Sequence, residues 1–314
     1  MQVMVTGGAG FIGSHVTDAF LARGDEVSVI DDLSAGRPGR LDPRATLHEC
    51  SILDAGLLTK LAEQARPELI CHLAAQIDVR DSVDDPAHDA RVNVEGTINV
   101  LEAARAVGAR VLFASSGGAL FGRESPIPAP EDAPPTPESP YGLAKYCAER
   151  YIGLYNGLHG TSHAVLRLAN VYGPRQDPSG EAGVIAIFCS RALAGDPPVI
   201  YGDGTQTRDY VYVGDVVRSF LAAAGTPRPG TWHVGTGTEV SVLGLVDTVA
   251  GIAGHPLTPR FASLRPGELQ RSALAVEKAA RDLGWQPVTS LTDGIRTVYR
   301  WIEAGAPARA GLQG

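Results

Sequence analysis

The feature that most constrains the fold is a glycine-rich turn that follows the first apolar segment of the chain. Residues 2–6 run into the sequence GGAGFIGSH, and an apolar pattern of helical period continues through Phe20. Glycine allows a positive φ and a close approach of the backbone to a ligand, and a helix N-terminus attracts a pyrophosphate. The spacing G-x-x-G-x-x-G departs from the common dinucleotide fingerprint, but its place between a strand and a helix predicts a dinucleotide site. The residues predicted to contact this ligand are Gly7, Gly10, Phe11, Ile12 and Gly13.

An acidic pair ends the second predicted strand. Residues 26–30 are followed directly by Asp31 and Asp32. A carboxylate at the tip of this strand is placed to bind the ribose diol of an adenosine, and it repels a 2′-phosphate. Arg37 is the nearest candidate partner for such a phosphate, but it lies further along the chain and Asp31 remains in the way. The pair therefore favours NAD over NADP, with an ordinary acidic turn as the alternative.

Predicted strands alternate with helices through the first half of the chain. The predicted strands are 2–6, 26–30, 45–50, 69–73, 110–115 and 163–168. Such alternation predicts an α/β fold with a Rossmann-type, doubly wound parallel sheet. Ligands of these sheets lie beyond the carboxyl ends of the strands, so residues 73–76 and 114–118 are expected beside the glycine turn.

The pattern becomes less regular after residue 170, with shorter elements and many Gly-Pro turns. We interpret this part as a smaller C-terminal substrate domain that is interleaved with the first. Residues 1–169 are predicted to bind the dinucleotide, residues 170–314 are predicted mainly to bind the substrate, and strands near 208–240 are expected to rejoin the first domain.

Composition narrows the class of protein. The net charge is −8, and no run of basic residues occurs, which argues against a nucleic-acid partner. No apolar stretch approaches the roughly 20 residues that a membrane span needs. The four cysteines form no C-x-x-C pair and the histidines show no metal-ligand spacing, so we expect a cytoplasmic protein without a metal site. His72, in an apolar segment, is expected to be a hydrogen-bonded core residue.

Tyr141 and Lys145 form the strongest catalytic pattern. The chain has only three lysines, and this one lies four residues after the tyrosine in SPYGLAKYCAER. Residues with this spacing share one face of a helix. A nearby ammonium and a cationic nicotinamide would lower the pKa of the phenol and make it a general base near neutral pH. A surface Tyr and Lys on an amphipathic helix is the alternative.

Taken together, these motifs resemble those of the extended short-chain dehydrogenase/reductases. The resemblance rests on TGGAGFIGSH, the acidic tip at Asp31, HLAA, NVEGTINVLEAA, YGLAK and RDYVYVGDV, and it covers residues 1 to about 303. Within that superfamily the chain is most similar to the nucleotide-sugar 4-epimerases, which implies a tightly held NAD. Further cofactor contacts implied by the resemblance are Asp32, Ser51, Ile52, Leu73, Ala74, Ala75, Gln76, Asn93, Tyr141 and Lys145.

The resemblance also implies a reaction. Tyr141 would remove the proton of the sugar 4-hydroxyl while hydride leaves C4, and Lys145 would hold the nicotinamide ribose. A 4-keto sugar would then turn and accept the hydride on its other face. Asn170, Arg208 and Arg265 match residues on the diphosphate, while Glu268 and Tyr201 match residues on the uridine. Val184, in the GEAGVIAIF segment, is expected to line the same substrate site.

One position departs from the epimerase pattern. The Ser or Thr that hydrogen-bonds the sugar 4-hydroxyl corresponds, by ungapped counting, to Gly117. Ser116 or Ser115 is expected to supply the hydroxyl, by a small loop shift or through a water. Related dehydratases and decarboxylases need acids at positions that Gly117 and Gly118 occupy here, and NADPH-dependent reductases are disfavoured by Asp31. A dehydratase or reductase, and a non-catalytic NAD(H) sensor, remain alternatives.

The sugar is left open. A pocket-narrowing Tyr of the family corresponds to Ser272 here, so a roomy pocket is expected. Arg191 and Arg271 have no part in the predicted nucleotide contacts, and either is a candidate partner for a C6 carboxylate. The candidate pairs are UDP-glucose/UDP-galactose and UDP-glucuronate/UDP-galacturonate. The family further implies a homodimer that pairs helices near 87–107 and 141–158.

Overall fold

A computed structural model describes residues 1–177, 183–263 and 269–305. The strands in these ranges are β1 Gln2–Thr6, β2 Glu26–Asp31, β3 Thr46–Glu49, β4 Leu69–His72, β5 Arg110–Ser116, β6 Ala164–Leu168, β7 Asn170–Tyr172, β8 Val199–Tyr201, β9 Thr207–Arg208, β10 Tyr210–Tyr212, β11 Gly230–Val234, β12 Val240–Ser241 and β13 Arg260–Ala262. The α-helices are α1 Phe11–Arg23, α2 Ala55–Ala65, α3 Val79–Asp84, α4 Pro86–Ala90, α5 Gly96–Val107, α6 Gly117–Leu120, α7 Pro140–His159, α8 Val184–Ala194, α9 Val213–Ala224, α10 Val242–Ala253, α11 Glu277–Leu283 and α12 Leu291–Glu303. A 3-10 turn spans Pro38–Arg40, and a π-helical turn spans Arg91–Glu95.

Seven parallel strands form the central sheet in the order β11-β6-β5-β4-β1-β2-β3. The order reverses between β1 and β4, which is the position where doubly wound sheets bind their ligands. The six strands predicted for the first half of the chain are all present in this sheet. The predicted Rossmann-type α/β fold is therefore confirmed.

Alternating residues of the strands pack against helices on opposite faces of the sheet. Val3 and Val5 belong to one apolar cluster with side chains of α1 and α9, whereas Met4 belongs to another with side chains of α2, α5 and α7. This follows from the two-residue period of a strand, which sends successive side chains to opposite faces. Both faces are covered, so the strand residues are apolar almost without interruption.

The C-terminal part has its own apolar cluster and short strands. Side chains of α8, α10 and α12 pack together around Phe188 and Leu245. Of the strands near 208–240, β11 lies in the central sheet, whereas β10 pairs with β7 and β9 pairs with β12. Within the described residues, β11 is thus the strand of this region that returns to the central sheet, while β9 and β10 pair with other short strands. No helix within the described ranges is both long and apolar enough to cross a membrane.

Candidate active site at the carboxyl ends of the strands

The glycine turn is packed too closely for side chains. Gly7 has φ +69°, and a Cβ there would lie 2.6 Å from the backbone nitrogen of Ala74. A Cβ at Gly13 would lie 2.8 Å from the carbonyl carbon of Gly7. The turn therefore brings α1 directly against β1 and the end of β4. Gly10 is the N-cap of α1 and provides no side-chain cap, which leaves the first turn of the helix suited to an anion.

Asp31 is held at the tip of β2. Its side chain is buried and accepts hydrogen bonds from the backbone N–H groups of Ala9 and Leu33, each at 2.9 Å. Burial raises the pKa of this carboxyl, and the two N–H groups oppose that rise. Asp32 is exposed and accepts from the backbone N–H of Ser34 at 3.0 Å. Asp31 is thus fixed against the glycine turn, while Asp32 caps the following loop.

A buried hydrogen-bond chain supports the end of β4. His72 lies 2.7 Å from the Thr6 hydroxyl and 3.0 Å from the Thr97 hydroxyl through its two ring nitrogens. The Thr6 hydroxyl in turn accepts from the N–H groups of Leu73 and Ala74, each at 3.2 Å. Burial lowers the pKa of His72 to about 3, so the ring is neutral. The expectation that His72 is a hydrogen-bonded core residue is confirmed.

Asn93 lies in the π-helical turn, an irregularity that is common at functional sites. Its side-chain Nδ2 donates to the carbonyl of Gln76 and to Asp89 Oδ1, both at 2.9 Å. Gln76 itself donates through Nε2 to the carbonyl of Asp78 at 2.8 Å. The turn therefore fixes the loop that contains Ala75 and Gln76 at the end of β4.

Ser51 and Ile52 follow β3 at the same edge of the sheet. The Ser51 hydroxyl accepts from the backbone N–H of Leu53 at 3.2 Å, and the buried Ile52 side chain occupies the space beside Gly96. The two residues are thus held in a tight turn between β3 and α2. Their predicted contact with the cofactor stays a prediction.

Helix α7 presents Tyr141 and Lys145 to the end of β5. Pro140 is its first residue, and the Ser139 hydroxyl caps it by accepting from the backbone N–H of Gly142 at 3.1 Å. Lys145 is 3% exposed, its Nζ donates to the carbonyl of Ala114 at 3.2 Å, and it lies 5.9 Å from the centroid of the Tyr141 ring. The side chain of Ser116 lies close enough to the Tyr141 phenol to lower its pKa. Serine, tyrosine and lysine are therefore assembled at one point.

The two titratable groups of this triad are shifted in opposite directions. Burial raises the pKa of Tyr141 to about 12, and the nearby Ser116 side chain only partly opposes it. Burial also lowers the pKa of Lys145 to about 8, against the raising influence of Asp89 and Glu149. The expected acidification of the phenol by Lys145 is thus not produced by the protein groups alone, because desolvation and the nearby Asp89 carboxylate both raise the pKa of Tyr141 and only Ser116 lowers it.

Packing explains the glycine that departs from the epimerase pattern. A Cβ at Gly117 would lie 2.9 Å from Cδ2 of Leu274, whose side chain fills that space. The hydroxyl that reaches Tyr141 comes from Ser116, one residue earlier, while Ser115 Oγ is buried and without a hydrogen-bond partner. At Gly118, a Cβ would lie 3.3 Å from Asn170 Oδ1. Asn170, which is predicted to contact the substrate, therefore adjoins the end of β5.

The predicted substrate residues are distributed over short elements. The backbone N–H of Asn170 donates to the carbonyl of Asp209 at 2.9 Å, which places β7 beside Arg208. Arg208 is half-buried and donates to the carbonyl of Thr207 at 2.8 Å. Tyr201 is 37% exposed at the end of β8, and Val184 begins α8. Arg265 and Glu268 lie outside the described residues.

The two arginines considered for a sugar carboxylate have protein partners. Arg191, in the last turn of α8, donates to the carbonyl of Pro197 at 3.0 Å. Arg271 is an exposed residue whose Nε donates to Glu239 Oε1 at 2.9 Å, and a second contact makes the ion pair bidentate. Ser272, beside it, is 9% exposed. In the structure, each guanidinium group therefore binds a neighbouring group of the protein.

Sequence reasoning missed a buried ion pair one helical turn from Lys145. Glu149 of α7 and Arg167 of β6 are both buried, with Arg167 Nη2 2.7 Å from Glu149 Oε2 and Nε 3.0 Å from Oε1. Arg167 Nη1 also contacts the carbonyl of Glu131 at 3.3 Å. The pair ties α7, the helix of Tyr141 and Lys145, to the central sheet. The sequence feature that could have indicated this ion pair is Arg167, a charged residue within the otherwise apolar segment of β6.

Asp209 was missed as well. Its buried carboxylate accepts from the backbone N–H and the hydroxyl of Thr236 at 2.8 and 2.7 Å, and from the N–H of Gly237 at 3.0 Å. Burial raises its pKa, opposed by these bonds. This carboxylate joins the Arg208 segment to the end of β11. The sequence feature that could have indicated Asp209 is its position directly after Arg208, the predicted phosphate-binding arginine.

Comparison with known proteins identifies the family. The model of the NAD dependent epimerase/dehydratase family matches residues 3–235. The UDP-glucose 4-epimerase of Mycolicibacterium smegmatis is 47% identical over 302 residues, which cover 94% of this chain and 96% of that protein.

Comparison with solved structures also finds members of this family. The UDP-glucose 4-epimerase of Thermotoga maritima, solved with UDP-glucose, has a TM-score of 0.95 and 42% identity, covering 98% of this chain and 100% of that one. The UDP-glucose 4-epimerase of Thermus thermophilus, in complex with NAD, has a TM-score of 0.90 and 40% identity, covering 99% of this chain and 100% of that one. From the glycine turn, the serine–tyrosine–lysine triad and these matches, we conclude that the chain belongs to the NAD-dependent epimerase/dehydratase family.

Proposed function

We propose that this protein is an NAD-dependent UDP-sugar 4-epimerase that interconverts UDP-glucose and UDP-galactose. The observation that carries the proposal is the assembly of Ser116, Tyr141 and Lys145 at the end of β5 without an acidic residue at Gly117 or Gly118. A tyrosine base with a nearby cation suits proton removal from a sugar hydroxyl. Elimination of water would need a further acid, so a dehydratase is disfavoured.

The residues present fit NAD. Gly7 and Gly13 bring the backbone close to the N-terminus of α1, where a pyrophosphate is stabilised. The buried Asp31 carboxylate, at the tip of β2, suits the adenosine ribose diol and disfavours a 2′-phosphate. The loops of residues 51–52 and 73–76, and the side chain of Asn93, complete the proposed site. Bound NAD supplies reversible hydride acceptance at C4 of the sugar, so the net redox change is zero.

Each member of the triad has a distinct part in the proposed mechanism. Tyr141 accepts the proton of the 4-hydroxyl and returns it when the opposite configuration is formed. Ser116 lies beside Tyr141 and orients the sugar hydroxyl toward the phenol. Lys145 holds the nicotinamide ribose, and its charge favours the phenolate. The burial that raises the pKa of Tyr141 to about 12 makes this added positive charge necessary at neutral pH.

The substrate is proposed to lie between β5 and the C-terminal part. Asn170 adjoins Gly118, and Asp209 holds the segment of Arg208, which suits contacts with a diphosphate. Tyr201 is proposed to lie beside the uracil, and Val184 to line the pocket. Arg265 and Glu268 complete the proposed set from outside the described residues. Residues 1–169 with β11 would serve NAD, and residues 170–314 mainly the nucleotide sugar.

A neutral hexose is favoured over a uronic acid. Arg271 is neutralised by a bidentate pair with Glu239, and Arg191 is bonded to a backbone carbonyl. A carboxylate at C6 would therefore meet guanidinium groups that the protein already engages. UDP-glucuronate remains the second substrate to be measured.

A homodimer is proposed from the apolar surface of α7 and α3. Leu143, Leu154 and Leu158 are exposed on α7, and Val83 is exposed on α3, which packs against it. Such a contiguous apolar surface is typical of a protein interface. Sedimentation velocity should give a dimer for the wild type and a monomer for Leu154→Asp/Leu158→Asp. A monomeric wild type would contradict this part of the proposal.

The function is tested by incubating the purified protein with UDP-glucose, UDP-N-acetylglucosamine or UDP-glucuronate and separating the products by chromatography. We expect UDP-galactose from UDP-glucose without added reductant, and no net formation of NADH. Accumulation of a 4-keto-6-deoxy sugar would identify a dehydratase instead. The absence of any product with every sugar would favour a binding protein.

A further inference from the structure

Glu239 is a carboxylate of the C-terminal part that the proposed mechanism does not use. It directly precedes β12, which pairs with β9 so that Val240 lies opposite Arg208. Its Oε1 accepts hydrogen bonds from the Thr207 hydroxyl and from Arg271 Nε, the latter at 2.9 Å, and its Oε2 accepts from Arg271 Nη2. One carboxylate therefore joins three segments of the chain, which are the start of β12, the start of β9 and the segment of Arg271.

Thr207 is the residue through which this carboxylate reaches Arg208. The Thr207 N–H donates to the carbonyl of Gln270 at 2.9 Å, and the Thr207 hydroxyl donates to Glu239. The Thr207 carbonyl accepts from Arg208 Nη1 at 2.8 Å. An arginine side chain has several rotatable bonds, so a fixed partner for one of its N–H groups restricts the orientations of the guanidinium. The position of the Arg208 guanidinium therefore depends on a residue that is held from two other sides.

The segment 270–275 continues from this contact to the end of β5. The backbone N–H of Leu274 donates to Asp209 Oδ2 at 3.4 Å, and the Leu274 side chain fills the space beside Gly117. Ala129 makes two backbone hydrogen bonds with the same segment, each at 2.8 Å. The segment is thus bonded along its length, from the predicted phosphate-binding strand to the strand end that carries the triad.

The exposure of the ion pair separates a positioning role from a structural one. The side chain of Arg271 is 57% exposed and that of Glu239 is 23% exposed. Exposed ion pairs add little to the free energy of unfolding, because water screens the charges. Hydrogen bonds from Arg271 and Thr207 lower the pKa of Glu239 to about 2, so the carboxylate stays charged throughout the pH range of an assay. Its effect is therefore expected on the placement of Arg208 and not on the stability of the fold.

We propose that Glu239 is a positioning residue for substrate binding: through Thr207 it fixes the Arg208 guanidinium where the nucleotide diphosphate would lie, and Arg271 orients the carboxylate. The inference rests on the proposed function, in which Arg208 contacts the diphosphate. A guanidinium that is already held in place binds phosphate oxygens with a smaller loss of side-chain freedom. Loss of Glu239 should therefore weaken nucleotide binding and leave the chemical step nearly unchanged.

The experiment measures UDP binding by calorimetry and the epimerisation of UDP-glucose for wild type and Glu239→Ala. We expect the Kd for UDP and the KM to rise by about three- to tenfold, the scale of one hydrogen bond to a charged group. The value of kcat should stay within about twofold of wild type, because the lost interaction serves ground state and transition state alike. NAD content and Tm should be unchanged. The matched control is Asp293→Ala, which breaks an exposed pair with Arg296 and should alter none of these values.

A double-mutant cycle tests the route through Thr207. Thr207→Val removes the hydroxyl that binds Glu239 and keeps the shape of the side chain, so it should raise the Kd for UDP by less than Glu239→Ala does. Adding Thr207→Val to Glu239→Ala should change the Kd little further, because the bond between them is already absent. Full additivity, or a normal Kd and KM in Glu239→Ala, would overturn the proposal. Parallel losses of Tm, NAD content and kcat in Glu239→Ala would overturn it too, since they would indicate a structural role alone.

Failure of the proposed function would give different results. Arg208→Ala removes the proposed phosphate contact itself and should raise the Kd for UDP more than Glu239→Ala does. Normal UDP binding by Arg208→Ala, or no UDP binding by the wild-type protein, would contradict the proposed substrate contacts, and the positioning role would fall with them. Normal UDP binding by Glu239→Ala together with weak binding by Arg208→Ala would overturn the positioning role and leave the proposed function standing.

Discussion

The two sides of the active site are built in different ways. On the proposed cofactor side, the predicted site residues lie at the ends of the parallel strands of the central sheet and at the start of α1, so neighbours in the sheet determine their positions. On the proposed substrate side, strands of two or three residues carry Asn170, Tyr201 and Arg208, and contacts between segments far apart in the chain hold them. The Asp209 carboxylate, which joins β9–β10 to the end of β11, is the clearest such contact.

The difference shows where rigidity is needed. A cofactor that stays bound requires a fixed cradle, which a packed sheet edge supplies. A hexose that must present either face to the same acceptor requires a nucleotide site joined to a wider sugar pocket. We propose that the short, separately paired strands of the C-terminal part leave room for this reorientation of the sugar. Four substitutions test whether the two sides respond as differently as their construction implies.

Tyr141→Phe should have the largest effect. It removes the proposed general base at the junction of the two sides, and we expect kcat to fall by about 10²- to 10⁴-fold, while NAD content and Tm stay near wild type. Tyr151→Phe, on an exposed position of the same helix, is the control and should retain full turnover. Near-normal epimerisation by Tyr141→Phe would contradict the assignment of the base.

Glu149→Gln should have the next largest effect, on stability. It leaves Arg167 as an uncompensated buried cation beneath the cofactor side, which costs about 3–5 kcal/mol. Asp293→Asn breaks an exposed pair with Arg296 and should lower the free energy of unfolding far less, because solvent screens that pair. Urea unfolding measures both. Equal losses would mean that the buried pair does not secure α7 to the sheet.

Gly117→Ser tests the contact between the sides. The added side chain must displace Leu274, so we expect the free energy of unfolding to fall by about 1–3 kcal/mol. Combining it with Leu274→Ala should cost less than the sum of the two single changes, because the smaller side chain makes room. Strict additivity in thermal unfolding would rule out a direct clash.

Asp31→Ala acts on the cofactor side alone. Loss of hydrogen bonds from the proposed ribose diol to a carboxylate should weaken NAD binding by about tenfold or more, and discrimination against NADP should relax. Asp32→Ala, which removes an exposed carboxylate at the next position, is the control. Calorimetric titration with NAD and NADP gives both affinities. Tighter binding of NADP than of NAD by the wild-type protein would show that Asp31 does not select the cofactor.

The sequence by itself determined the fold class and the cofactor side. Gly7 and Gly13 are required by backbone contacts within the first strand–turn–helix unit and its neighbouring strand, and the spacing of Tyr141 and Lys145 places them on one face of α7. These relations follow from the periods of strands and helices and from the rule that parallel strands end at one edge. For this reason the glycine turn and the Tyr141–Lys145 pair can be predicted from the sequence alone.

Only the tertiary structure decided the rest of the site. Leu274 occupies the space at Gly117 and thereby makes Ser116 the hydroxyl beside Tyr141. Burial sets the pKa of Tyr141 above its usual value, opposite to the expectation from the neighbouring lysine alone. The partner of Arg271, Glu239, likewise comes from another segment of the chain. Contacts between distant segments, and the burial of polar groups away from solvent, arise only when the chain is packed. Neither produces a regular period or a fixed residue spacing, so neither can be recognised in the sequence.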